Sequence, residues 1–181
     1  MKGMILFADY FEDVEGLATL AILRRSKIEV DAISVMGRKD LITQYGQKIL
    51  ADELIENIQA DYYDFLIIPG GRAVFSTLSS RDDLSRIIQK FNKQGKLIAA
   101  ICAAPSLLGT AGVLDGRNFT CFPGVENGIL KGIHRGEKKA LTDGNIITAR
   151  SAGSVYEFSY EIIRYLKGVD EADLMLKNIV F

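Results

Sequence analysis

A chain of 181 residues, 48% hydrophobic and 25% charged, is long enough to bury a core without disulfide staples. Twenty-two basic residues against twenty-three acidic ones leave a formal net charge of −1, and no Lys/Arg stripe forms, so nucleic acid and anionic membranes are not expected as partners. The two cysteines, Cys102 and Cys121, and the single histidine, His134, fit neither a disulfide framework nor a zinc spacing, so no metal and no cofactor is expected.

In chain order, residues 3–8 read as a buried strand. It is too short for a signal-peptide core and is followed at once by acids, which makes the cytoplasm the expected compartment. Residues 11–26 have helical periodicity and residues 28–36 form a second strand. A polar, glycine-containing stretch (residues 37–59) leads to Asp64-Phe65-Leu66-Ile67-Ile68, an apolar strand closed by Pro69-Gly70-Gly71. Leu84, Ile87, Ile88 and Phe91 predict a helix over residues 81–92, ended by Gly95 before the apolar strand of residues 97–101. A short helix over residues 105–112 and a short strand over 119–122 follow. Asp143-Gly144, between residues 139–142 and 145–149, is a hairpin signal, and helices at 155–166 and 171–177 finish the chain. Such uniformly apolar strands, alternating with helices, imply an α/β fold with a mainly parallel sheet covered on both faces. No linker, repeat or low-complexity segment interrupts it, so one domain is expected over residues 1–181.

In such folds ligands bind beyond the carboxyl ends of the strands, which singles out residues 9–15, 70–71, 102–105 and 150–153. Cys102 stands between an apolar strand and a helix that opens with Pro105, as in a nucleophile elbow. Ala100, Ala103 and Ala104 leave room for the tight turn, and a helix N-terminus would lower the thiol pKa. The alternative for Cys102 is a cysteine packed as a small hydrophobe. Glu15 has Phe11, Ala18 and Ile22 as helical neighbours, an apolar setting that would hold its carboxyl protonated; it could instead serve, as Glu12 and Asp13 do, to complement a helix N-terminus. Gly70 and Gly71 could offer backbone N–H groups to an anion or simply make a turn. Cys121 reads as a packing residue and His134 as part of a surface loop. No dinucleotide or P-loop glycine motif occurs.

Taken together, Ala8 with Glu15, Ile68-Pro69-Gly70-Gly71, the run from Ala99 to Pro105 and Arg150-Ser151-Ala152-Gly153 resemble the ThiJ/PfpI superfamily, in its DJ-one branch. The resemblance implies a flavodoxin-like three-layer sandwich and a homodimer. It also implies that Cys102 is a readily oxidised nucleophile and that Glu15 is its protonated hydrogen-bond partner. Gly71 and Ala103 would supply oxyanion N–H groups, and the loop of Arg150, Ser151 and Gly153 would lie near the site. Two departures matter. Phe122 stands where many relatives carry a histidine, and an arginine that relatives often carry in the polar segment after the second strand is replaced near Tyr45. Ala103 stands where the protease-like branch has a histidine, which argues against peptidase activity.

Two functions are compatible with these residues. In the first, the Cys102 thiolate adds to a small reactive aldehyde such as methylglyoxal, with Glu15 as acid/base, in a glyoxalase III- or deglycase-like reaction. In the second, Cys102 meets an oxidant and acts without turnover, its sulfinate turning the protein into a redox sensor or chaperone.

Overall fold

The structure is a computed structural model describing residues 1–181. Its strands are β1 (Lys2–Phe7), β2 (Glu29–Ser34), β3 (Asp40–Ile42), β4 (Lys48–Leu50), β5 (Glu53–Leu54), β6 (Phe65–Ile68), β7 (Leu97–Ile101), β8 (Asn118–Phe119), β9 (Ile133–His134), β10 (Ala140–Asp143) and β11 (Ile146–Ala149). Seven of them form one sheet in the order β10-β11-β7-β6-β1-β2-β5, parallel throughout except for the β10–β11 hairpin. The helices are α1 (Thr19–Arg25), α2 (Ala73–Ser76), α3 (Asp82–Lys93), α4 (Pro105–Thr110), α5 (Val155–Lys167) and α6 (Val169–Ile179). α1, α5 and α6 pack together, as do α3 and α4, giving the three-layer, flavodoxin-like α/β sandwich. No helix is long and apolar enough to cross a membrane.

The central strands show why the sheet is parallel and covered. Every residue of β6 and every residue from Met4 to Phe7 in β1 is fully buried, which only a sheet with both faces packed allows. The Asp143-Gly144 turn closes the β10–β11 hairpin in register, pairing Asp143 with Ile146. Leu84, Ile88 and Phe91 of α3 face the core, as their spacing requires.

Three expectations need correction. The helix predicted over residues 11–26 begins only at Val14, with a wide turn (Val14–Ala18) ahead of α1. Phe11 instead forms a bridge with Gly71 and stacks on Phe7, ring centroids 4.1 Å apart. The polar stretch of residues 37–59 contains the β3–β4 hairpin and the edge strand β5, each too short to show a period. That hairpin is tied to the segment before Glu15: Tyr10 N–H donates to Ile42 O at 2.8 Å, and Thr43 Oγ1 donates to Asp13 Oδ1 at 2.5 Å. Finally, the strand expected over 119–122 is β8, which stops at Phe119. The Thr120 N–H leaves the ladder to reach Thr148 Oγ1 at 2.9 Å, and Pro123 has no N–H to donate.

Gly3 in β1 is a sensitive point of the core. A Cβ there would lie 1.9 Å from the Phe65 ring, which is fully buried and has nowhere to move. Gly3→Ala is expected to destabilise the fold by about 1–3 kcal/mol through overpacking. The measurement is the urea midpoint at unchanged m-value, and an unshifted midpoint would show that Phe65 repacks freely.

Candidate active site

β11, β7, β6 and β1 are neighbours in the sheet, and the segments leaving their carboxyl ends converge. They bring Ser151 and Ala152, Cys102 and Ala103, Gly71, and Glu12 and Glu15 to one cleft of about 490 Å³. Its outer wall includes Gln44, Tyr45, Arg72, Phe75, Phe122 and Val125. This is where a doubly wound sheet presents a ligand site.

Cys102 has a φ of 65°, in the left-handed region where a residue with a Cβ is strained. Hydrogen bonds hold it there on both sides: its N–H donates to Ala149 O at 3.0 Å, and Phe122 N–H donates to its carbonyl at 2.8 Å. The turn also needs Gly70, where a Cβ would lie 2.6 Å from both the Cys102 Cβ and Glu15 Oε2. Gly71, at φ 91°, is required by its backbone as well as by its surroundings. A Cβ at that position would sit 2.4 Å from the Glu12 nitrogen.

Glu15 is completely buried. Its Oε2 accepts the Gly70 N–H at 2.9 Å, the Ala152 N–H also points to its carboxyl, and Oε1 has no partner. The Glu15 N–H in turn donates to Glu12 Oε2 at 2.7 Å. Burial pushes the Glu15 carboxyl up to about 7, with the Glu12 charge adding to the effect. The Cys102 thiol and the Gly70 and Ala152 N–H groups oppose it. Burial likewise pushes the Cys102 thiol up, and the Glu15 charge pushes it further, against the N–H groups of Gly71 and Ala103.

Thiol and carboxyl are thus one coupled site. When Glu15 carries a proton, its repulsion of the thiolate vanishes and an O–H donor replaces it. The helix-dipole effect expected from sequence does not dominate: α4 is six residues long and begins three residues after Cys102, too short and too far to outweigh burial.

The other expected site residues divide. The N–H groups of Gly71 and Ala103 act to lower the Cys102 thiol pKa against the effect of burial, whereas the Gly70 N–H is taken by Glu15. Phe122 and Ser151 line the cleft, while Arg150, which is exposed, and Gly153 lie outside its lining. Arg72 and Gln44 carried no sequence signal. Their pairing depends on the β3–β4 hairpin: Arg72 N–H donates to Gln44 Oε1 at 2.8 Å, and its guanidinium lies 4.8 Å from the Tyr10 ring centroid.

A flavodoxin-like sheet with a strained cysteine beside a buried carboxyl, at the ends of adjacent parallel strands, defines a cysteine-centred class of α/β proteins. Within it the chain belongs to the DJ-1/PfpI family, whose sequence profile matches residues 1–165. Protein DJ-1 homolog B of Arabidopsis thaliana is 32% identical over 172 residues, covering 94% of this chain. The chain spans only 39% of that plant protein's length. A protein of Pyrococcus abyssi named as a deglycase is 32% identical over 168 residues, which is 92% of this chain and 100% of that protein. The crystal structure of Drosophila melanogaster DJ-1beta superposes with a TM-score of 0.92 at 27% identity, covering 99% of this chain and 98% of that one.

The raised Glu15 pKa has a consequence for stability. Between its ordinary value of 4.5 and about 7, the folded protein holds a proton that the unfolded chain has released. Stability therefore falls as pH rises through that window and levels off above it. Glu15→Gln is expected to flatten this part of the curve of urea midpoint against pH; parallel curves for variant and wild type would mean that Glu15 does not titrate there.

Proposed function

We propose that the protein defends against reactive carbonyls, with the Cys102 thiolate as nucleophile and Glu15 as the group that moves protons. The observation that carries this reading is the pairing itself: a thiol on a strained turn, open to a cleft, next to a fully buried carboxyl whose pKa is near 7. A carboxyl of that pKa can both donate and accept a proton at neutral pH. The deglycase name of the Pyrococcus relative fits the same chemistry.

For methylglyoxal the steps balance without an external oxidant. The thiolate attacks the aldehyde carbon, forming a C–S bond while the carbonyl π pair moves to oxygen. The oxyanion lies against the Gly71 and Ala103 N–H groups and is then protonated. A proton leaves the former aldehyde carbon and another is delivered to the former ketone carbon, with Glu15 as the shuttle. The first carbon is oxidised to a thioester and the second reduced to an alcohol. Water then cleaves the thioester, giving lactate and restoring the thiol. The absence of an imidazole at position 122 leaves every proton transfer to Glu15 and water.

The test is lactate formation from methylglyoxal by the purified protein. Cys102→Ser should fall to background and Glu15→Leu should lose about 100-fold in kcat. Wild-type turnover no faster than buffer, or turnover that survives Cys102→Ser, would reject the enzyme reading.

The redox-sensor reading is favoured by one contrast: Cys102 is partly exposed in the cleft, whereas Cys121 is 1% exposed. Oxygens added to Cys102 would meet the Gly71 and Ala103 donors, and a protonated Glu15 could hydrogen-bond one of them. Mild peroxide should therefore add two oxygens to Cys102 before any reach Cys121, as read by peptide mass. Oxidation of Cys121 first would dismiss this role.

A further inference from the structure

The second cysteine does not lie in an ordinary packing environment. β8 and β9 run parallel, with Phe119 opposite His134, which sets the histidine beside the chain just as that chain leaves the strand toward Cys121. Gly124, at φ 96°, then reverses the backbone into a single turn (Val125–Gly128) that brings Glu126 back over Cys121. The Cys121 Sγ lies 3.9 Å from Glu126 Oε2. One imidazole nitrogen, the sulfur and a carboxylate oxygen all lie within 4.8 Å of one another.

From this convergence we infer that Cys121, Glu126 and His134 form a binding site for a borderline divalent metal ion of the Zn2+ class, distinct from the Cys102 cleft.

The donor set argues for that class. A thiolate and an imidazole exclude the hard cations Mg2+ and Ca2+, which take oxygen ligands, and they suit Zn2+ or Co2+. Zn–S bonds of about 2.3 Å and Zn–N or Zn–O bonds of about 2.0–2.2 Å put donors in a tetrahedral site some 3.3–3.7 Å apart. The three atoms, within 4.8 Å of one another, therefore need to close by about 1.5 Å at most. The side chains able to make that movement are the outer two, since Cys121 is fixed by burial while Glu126 is half-buried and His134 exposed.

The surroundings also hold the ligands. Glu126 Oε2 accepts the Gly124 N–H at 2.7 Å, the kind of outer hydrogen bond that orients a ligating carboxylate. The His134 ring packs on Phe119 at 5.3 Å between centroids. Gly136 lets the chain fold closely over the imidazole, where a Cβ would come within 3.0 Å of the ring. Charge closes as well: thiolate, carboxylate and neutral imidazole together carry −2, which a divalent ion neutralises.

As the S–metal bond forms, the Cys121 thiol gives its proton to solvent, and no redox change is involved. With three protein ligands, and with His134 and Gly124 exposed, the fourth position faces water. Phe122 and Val125, which lie between two of the ligands in sequence, line the Cys102 cleft, so an ion at this site would fix one wall of that cleft. Sequence spacing hides the site because its residues come from a loop, a turn and a neighbouring strand.

Co2+ serves as the probe, since it takes tetrahedral zinc sites and absorbs visibly. Titrated into the metal-free protein, it should give a thiolate-to-cobalt charge-transfer band with the intense visible bands of a four-coordinate ion, and Zn2+ should displace it. The band should persist in Cys102→Ser and vanish in Cys121→Ser. Glu126→Gln and His134→Ala alter partly or fully exposed side chains, and each should weaken Co2+ binding by about ten-fold or more. Absence of the band in wild type, its survival in Cys121→Ser, or its loss in Cys102→Ser would overturn the assignment. The binding readout needs no enzymatic activity, so it stands or falls separately from the carbonyl chemistry.

Discussion

Cys102 is held in a left-handed conformation by backbone bonds that reach across the sheet, and the geometry of the cleft follows from that hold. Its N–H is tied to Ala149 at the end of β11, and its carbonyl accepts from Phe122 in the loop after β8. Two separate segments thus hold a single residue's backbone, which is how strain at one residue is sustained in a folded protein. Once the turn is set, carboxyl and thiol approach each other past Gly70, where a Cβ would lie 2.6 Å from both the Cys102 Cβ and Glu15 Oε2. The Phe11–Gly71 bridge then anchors the chain that delivers Glu15. The late start of the first helix belongs to the same arrangement, because Phe11 serves the bridge and the Phe7 stack rather than a helical turn.

The parts of this arrangement legible in the sequence are those carried by local pattern. The apolar runs of β1, β6 and β7 announce a covered parallel sheet, Asp143-Gly144 announces its hairpin, and Cys102 before Pro105 announces the elbow. Family resemblance supplied the partnership of Cys102 with Glu15. What stayed hidden depends on contacts between segments distant in sequence. The β3–β4 hairpin has strands of three residues, too short for a period of two to register, and its position rests on Asp13, Tyr10 and Phe11. Arg72 and Gln44 become cleft residues only because that hairpin exists. The roles of Gly70 and Gly71 diverge for a related reason: which N–H faces the sulfur depends on where a carboxyl 55 residues away comes to rest.

The electrostatics of the pair correct a simpler picture in which a helix terminus creates a thiolate. Dipole effects act over about one turn and are modest, whereas burying a thiol and a carboxyl together raises both. Two buried acids that repel each other as anions share what charge the site can hold. A proton on Glu15 removes the charge that opposes a thiolate, and the Gly71 and Ala103 N–H groups then favour the anion.

Phe122 sharpens what such a pair can do. An imidazole at that position would bring a second titratable group near neutral pH and a second path for protons. The phenyl ring brings neither, and being half-exposed it adds an apolar surface to the cleft that Cys102 lines. Small carbonyl compounds that react by addition and internal proton transfer ask for little more than one nucleophile, one shuttle and donors for an oxyanion. Acyl transfer from an amide also asks for protonation of a leaving nitrogen at a separate point, for which this cleft has no positioned imidazole. On the proposed chemistry, the substitution at position 122 therefore restricts the site to substrates that bring their own second carbonyl as the proton's destination.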